Sequence, residues 1–389
     1  MRVILKRKNL YHHPAILSSA VYSGNKQIVE LIRDNCHNRF LKTINEEGLV
    51  AIATLQRRVD TLCVLLEANP NLNTFYEGET PLHIAARKGH AVCASLLISS
   101  GAKTTLLNDD HLTPLEVSVF LGHEHCLKVL IEAGQPKEQI NTALLHAGAF
   151  PKSFPCIRHL LGAGADVNYL DKTLRTPLHV ASFNGAIAHV SALIDSGSKV
   201  DSLNIEHRSP LHMAAQEGHE KVVKVLLESG ANPDLCTLGE GSSPLHTATY
   251  HNHSKCVQHL LDHSADIHTR MTDQWSTLHT AAIGGMHCIH LMLKSGADVH
   301  ARTIEEKTAL HFATSNRHIQ SIMLLLDAVA FIDAKDKNGN TPLHIAALNN
   351  YTNCAKALIA RGANLHISNN QGKKPTQYRC VKRILNSKY

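Results

Sequence analysis

Along this chain of 389 residues the apolar positions come in paired blocks. A stretch such as Leu211, Ala214 and Ala215 shows helical spacing, and after a short break a second block, Val222-Val223-Lys224-Val225-Leu226-Leu227, shows it again. The second block closes at a glycine, Gly230 in this copy, which suits a left-handed helix cap. A polar stretch follows, with a glycine such as Gly78 or Gly339 at the tip of a tight turn. The pattern predicts a helix, a turn, a second helix and a protruding hairpin in every unit.

Each unit opens on a short signature that serves as a ruler. The fullest copies are Thr80-Pro81-Leu82-His83, Thr176-Pro177-Leu178-His179 and Thr341-Pro342-Leu343-His344. Thr or Ser caps the helix through its side-chain oxygen, and Pro at the first helical position loses no bond by lacking an N–H. Taking the Pro slot as anchor, the series runs Leu49, Pro81, Pro114, Leu144, Pro177, Pro210, Pro244, Thr277, Ala309, Pro342 and Pro375, with Ile16 heading an earlier, degenerate unit. About twelve units are predicted, each depending on its neighbours to bury its apolar face.

The Thr-Pro-Leu-His, Gly-His and Leu-Leu-x-x-Gly-Ala segments resemble the ankyrin-repeat family over nearly the whole chain. The resemblance implies an all-α solenoid of stacked helix-turn-helix units with β-hairpin fingers along one edge and no catalytic machinery. The expected division is a degenerate capping repeat over 1–44, the repeat array over 45–368 and a capping segment over 369–389. The array is read as one quasi-linear domain, since a solenoid grows without enlarging a single core.

The formal net charge of +6 is mild, and the basic residues gather at the ends, with Arg2, Lys6, Arg7 and Lys8 at one and Lys373, Lys374, Arg379, Lys382 and Arg383 at the other. No aromatics interleave with them, so nucleic acid is not an expected partner. No segment approaches the roughly 20 apolar residues that span a bilayer, and Val3-Ile4-Leu5 is too short for a secretory signal. A cytoplasmic location is expected, with the nucleus as the alternative. Of ten cysteines, Cys93, Cys126, Cys156, Cys256 and Cys354 recur twelve residues after their anchors, with Cys288 in the equivalent place. Core thiols are expected there, because successive units stand roughly 10 Å apart, beyond disulfide reach.

The 29 histidines also follow the repeat. Eight fill the fourth slot of the signature, among them His83, His212 and His344, and are expected to bond the capping hydroxyl and nearby backbone. Five more, His90, His123, His219, His253 and His318, fill the turn between helices. One cluster, Cys256, His259 and His263, falls on a helix face with zinc-like spacing, but Cys256 occupies a core slot and no second ligand pair lies nearby, so no metal is expected. Phosphate-loop, nucleophile-elbow, zinc-protease and dinucleotide motifs are all missing, and neither a cofactor nor an enzymatic activity is expected.

Function should therefore lie in what differs between units. At the last position of the first helix the chain reads Arg87, Phe120, Phe150, Phe183, Gln216, Tyr250, Ile283, Ser315 and Leu348, so three of only eight phenylalanines stand in successive units. Leu121 adjoins them, and the single tryptophan, Trp275, is placed at a finger tip. Either these rings tuck under neighbouring fingers, or they form a groove for a protein partner. The groove is the preferred reading, because exposed aromatics ringed by polar residues are what binding hot spots look like. Its candidate residues are Phe120, Leu121, Phe150, Phe183, Tyr250, Trp275 and Ile283, rimmed by Arg175 and Arg208 together with Lys172 and Glu206.

Two irregularities stand out. The 30-residue step to Leu144 shortens the finger that holds Gly134-Gln135-Pro136, and altered geometry is expected around Phe150. Val329 stands where a glycine normally ends the second helix, a place for positive φ that β-branched residues resist. The family resemblance further implies that Asn168, with Leu160 and Asp166 before it, is in the context used by an oxygen-sensing asparagine hydroxylase. An interaction scaffold or adaptor is the function expected. The alternatives are a substrate-recruiting subunit of a cullin-type ubiquitin ligase, by similarity to animal ankyrin proteins with a suppressor-of-cytokine-signalling box, and a microbial effector that binds host proteins. The box itself is not evident in Gln377 to Tyr389.

Overall fold

The computed structural model describes residues 13–386. The basic Arg2, Lys6, Arg7 and Lys8 and the apolar Val3 to Leu5 lie outside them. Two compact units are distinguished: one runs to Asp171 and takes in Asp195–Gly197, and the other comprises Lys172–Ile194 and the chain from Ser198 onward.

In the first unit α1 (Pro14–Ser23) and α2 (Lys26–Asn35) form the degenerate opening pair. An additional helix, α3 (His37–Glu46), stands where a finger would, with Phe40 and Ile44 buried. Three regular pairs follow: α4 (Leu49–Leu55) with α5 (Val59–Leu66), α6 (Pro81–Lys88) with α7 (Ala91–Ser99), and α8 (Pro114–Phe120) with α9 (Glu124–Glu132). The last pair is α10 (Lys137–Ala147) and α11 (Phe154–Gly162). Here the finger is absent rather than merely short, because α10 begins directly after Pro136. The anchor Leu144 thus lies near the end of a helix that starts seven residues earlier, and Phe150 falls beyond the helix, in extended backbone before a 3-10 turn at Pro151–Ser153. The repeat spacing predicts a helix end at Phe150, and the missing finger displaces it.

The second unit contains α12 (Pro177–Phe183), α13 (Ile187–Asp195), α14 (Pro210–Glu217), α15 (Glu220–Glu228), α16 (Pro244–Tyr250), α17 (Ser254–Asp262), α18 (Thr277–Gly284), α19 (Met286–Lys294), α20 (Ala309–Ser315), α21 (Ile319–Asp327), α22 (Pro342–Leu348) and α23 (Thr352–Ala360). A 3-10 turn at Pro375–Gln377 and α24 (Arg379–Asn386) close it, burying Cys380, Val381 and Ile384. The repeating Leu and Ala positions form the core, with Leu211, Ala214, Ala215, Val223 and Leu226 fully enclosed. Small alanines let facing helices approach closely enough for that enclosure.

The fingers are turns more than strands. Isolated bridges occur at Tyr76 with Glu79 and at Arg270 with Ser276, and no strand is found among the described residues. Side-chain chemistry explains this: the Asn204 Oδ1 accepts the amides of Glu206 and Arg208, and the Asp336 Oδ1 accepts those of Asn338 and Asn340, so the turn is built around a carbonyl or carboxylate instead of a ladder. Neighbouring fingers are joined by bonds at their tips, such as Leu238 N–H to the Glu206 carbonyl and Thr272 N–H to the Glu240 carbonyl, each 3.0 Å.

Seven of the eight fourth-slot histidines bond the capping hydroxyl as expected; the exception is His146, near the end of the longer α10, whose Nδ1 lies 3.3 Å from Glu116 Oε1 instead. In His212, Nδ1 lies 2.9 Å from the Ser209 hydroxyl and accepts the Ser209 amide, while Nε2 is 3.1 Å from the Ser242 carbonyl in the next finger. A carbonyl only accepts, so Nε2 holds the proton and the ring is a neutral bridge between units. Burial pulls His212, His246, His279 and His311 down to about 4, against the partial opposing pull of carbonyls near each ring. The turn histidines form a second row of rivets, with His219 Nε2 on the Phe183 carbonyl and His253 Nε2 on the Gln216 carbonyl. Gly218, at φ +75°, shows why Gly precedes His: the residue is left-handed, and a Cβ there would stand 2.4 Å from the His253 ring.

The ten cysteines are all free thiols. Burial pushes Cys126, Cys156, Cys256 and Cys288 up to about 12, so they pack as small apolar residues. Val329 has φ +63° and is 75% exposed, the strained placement its sequence position suggested.

Candidate protein-binding site

The proposed aromatic row divides between the two units, and its members have different surroundings. In the first unit, Phe120 is half-buried, its ring centroid 4.5 Å from that of Phe150 and 5.6 Å from His146. Leu121 and Phe150 remain just over a third exposed. The rings thus cover one another where a finger is missing. In the second unit Phe183 and Tyr250 are exposed, Ile283 is half-buried and Arg175 is exposed.

Tyr250 and Trp275 line one cavity of about 460 Å³. Helix ends and fingers build it together. The end of α16 supplies Tyr250, the finger before α18 supplies Met271, Asp273 and Trp275, and the finger before α16 supplies Thr237, Glu240 and Ser242. Arg208 and Gln216 complete one side. Trp275 is not at a finger tip, as expected from sequence, but on the returning limb, where its carbonyl accepts the Met271 amide at 2.9 Å. Its ring is held 4.4 Å from Phe312 and 6.4 Å from His279, so the indole is fixed on one side and half-exposed on the other. Phe312 and Met271 are site residues that sequence reading missed. Phe312 follows the signature histidine at a slot filled elsewhere by Ile84, Val180 or Met213, so nothing in its spacing marked it.

Charge in this cavity is lopsided. Arg208 is engaged on both sides, its Nε 3.1 Å from Glu206 and its Nη1 donating to Gln216 Oε1 at 2.9 Å. Glu240 and Asp273 are exposed and have no ion-pair partner among the described residues. His212 and His246 also line the cavity as neutral rings, and Nε2 of His246 lacks the well-aligned bond its counterparts make, though the carbonyls of Trp275 and Thr269 lie near it.

Asn168 is half-buried on a loop of the first unit, its amide N–H on Asp166 Oδ1 at 2.9 Å and its Nδ2 donating to the Gly197 carbonyl at 3.3 Å. Among the histidines of the zinc-like cluster, His259 faces Glu220 at 3.6 Å and His263 Nδ1 donates to the His259 carbonyl, while Cys256 is in the core. No group of metal-binding residues is arranged as a site among the described residues, and no helix there is long and apolar enough to cross a membrane.

Paired helices capped by Thr or Ser, joined to the next pair by histidine bridges, define a helical-repeat protein. The family model for ankyrin repeats in three copies matches residues 17–142, 144–237, 229–303 and 278–369, and the chain belongs to the ankyrin-repeat family. Proteins of this kind are generally non-catalytic interaction modules. A mouse (Mus musculus) protein named 60 kDa lysophospholipase is 39% identical over 62 residues, 16% of this chain. The match spans only 11% of that relative's length.

Proposed function

We propose that this chain is a non-catalytic adaptor, cytoplasmic or nuclear, that binds a protein partner with the helix ends and fingers of its repeats. The observation that carries this reading is the cavity walled by Tyr250 and Trp275, two large amphipathic rings placed beside polar residues, the first half open to solvent and the second half-buried. Phe183 and Ile283, with Arg175 and Arg208, extend the same surface in the second unit; Phe120, Leu121 and Phe150 offer an apolar patch in the first. The short match to a lysophospholipase carries no activity over to this chain. Asn168 is the proposed modification position, and a hydroxylase would have to draw its amide off the Gly197 carbonyl.

Affinity capture from a native lysate tests the reading, comparing the wild-type chain with a Phe183→Ala/Tyr250→Ala variant. Helicity should be unchanged by circular dichroism and captured proteins should be lost. Equal capture by both chains would sink the proposal. Elongins and a cullin among the captured proteins would assign the adaptor to a ubiquitin ligase.

A further inference from the structure

The chemistry of the cavity specifies what enters it. Resting on the protein-binding reading above, we infer that the cavity between Tyr250 and Trp275 receives an arginine side chain from the partner, with Glu240 and Asp273 as its counter-charges. Four observations converge. The cavity is lined by two aromatic side chains, and a guanidinium is the side chain that both stacks on aromatic rings and is attracted by their quadrupole. The only cation lining it, Arg208, is already neutralised by Glu206 and held by Gln216, whereas both carboxylates are without an ion-pair partner among the described residues, so the unbalanced charge is negative. Among the remaining polar lining, the hydroxyls of Thr237, Ser242 and Thr247 can accept bonds, which suits a group with five N–H donors and no acceptor better than an ammonium with three. Finally, the walls are held in place before any partner arrives: Trp275 is backed by Phe312 at 4.4 Å, and the finger tips bearing Glu240 and Asp273 are tied by the bonds from Thr272 N–H to the Glu240 carbonyl and from Ile304 N–H to the Asp273 carbonyl. A carboxylate-bearing segment meets repulsion from Glu240 and Asp273, and a purely apolar one leaves both carboxylates partly desolvated and unpaired.

Trp275 is the chain's single tryptophan, so its fluorescence reports on this cavity alone. The full chain is titrated with capped glycine-rich pentapeptides whose central residue is Arg, Lys, Glu or Leu. The Arg peptide should perturb Trp275 with saturation, bind more tightly than the Lys peptide and far more tightly than the Glu and Leu peptides. Glu240→Gln and Asp273→Asn should each weaken it by about tenfold, equal to ~1.4 kcal/mol, and the double variant should abolish the preference for Arg over Leu. Equal affinity for the Glu or Leu peptide, no saturable change with the Arg peptide, or indifference to both substitutions would overturn the inference. Lysate capture separates the two levels: capture that depends on Phe183 and Tyr250 but not on Glu240 and Asp273 keeps the adaptor and discards the arginine.

Discussion

Phe120 and Tyr250 occupy the same place in their repeats, the last residue of a seven-residue first helix, yet one is packed and the other is open. Phe120 lies against Phe150 and His146, whereas Tyr250 is 50% exposed beside a cavity. The difference comes from the fingers. Where α10 follows α9 without a finger, the chain after α10 folds back and an aromatic ring covers the helix end. Where fingers are present, their returning limbs carry Trp275 and Ser242 alongside Tyr250 and keep a space between them. The cap chemistry changes in step. His212 in the second unit donates to a finger carbonyl; in the first unit the same slot before the missing finger holds Glu116, whose Oε2 accepts the Thr113 amide and hydroxyl, and whose Oε1 lies 3.3 Å from His146 Nδ1. An acceptor replaces a donor because what stands opposite has changed from a carbonyl to an imidazole.

Acid should separate the two regions most strongly. The four second-unit histidines held at about 4 bind protons only when unfolded between there and their ordinary 6.5, so their stabilisation is complete above pH 6.5 and declines as pH falls toward 4. Between pH 7 and pH 5 each contributes a loss of roughly 2 kcal/mol, an upper bound set by cooperative unfolding. His83 in the first unit is lowered too, but Glu116 there acts in a different range: burial raises it, the adjacent His146 imidazole and the bonds from Thr113 outweigh that, and its stabilisation fades only below the ordinary carboxylate value. Urea titrations followed by Trp275 fluorescence should therefore show a midpoint that falls steeply from pH 7 to pH 5, and His212→Gln should flatten the slope. A midpoint independent of pH would remove the neutral-bridge account.

Next in size is Glu116→Ala, which leaves the buried Thr113 amide and hydroxyl without their acceptor and should cost about 1–3 kcal/mol, read by chemical denaturation. Glu116→Gln keeps one acceptor oxygen and should cost less. Equal losses would mean that charge, not bonding, governs the slot. Phe150→Ala should follow, at about 1 kcal/mol for the lost ring pair, while Tyr250→Ala should stay within about 0.5 kcal/mol because that ring is open to solvent. Similar costs for the two would erase the contrast between a packed and an open aromatic. An effect below that of Phe150→Ala is expected at the glycine slot that ends the second helix, where the first unit has Asn69 at φ +50° and the second has Val329 at φ +63°. Val329→Asn should gain about 0.5–1 kcal/mol, since Asn tolerates that conformation and Val does not, and Asn69→Val should lose a comparable amount.

Much of this was legible in the chain. Thr80, Pro81 and His83 are local features, and the cap, the first turn and the histidine bridge they form depend on residues three apart or on the next identical unit, so repetition made them readable. Phe312 was not, because an aromatic at an ordinary apolar slot carries no mark until a tryptophan from the preceding finger is found against it. Phe150 was placed a few residues astray for a related reason: the anchor count assumed a finger, and the extended α10 replaced it.

Local chemistry repeated many times thus determined the helices, their caps and the histidine rivets from sequence alone, because each needs only its own unit and a like neighbour. Which aromatics pack together and which wall a cavity was decided by tertiary structure. That outcome turns on whether a finger stands opposite a given helix end, a relation between residues about 30 apart that no single repeat encodes.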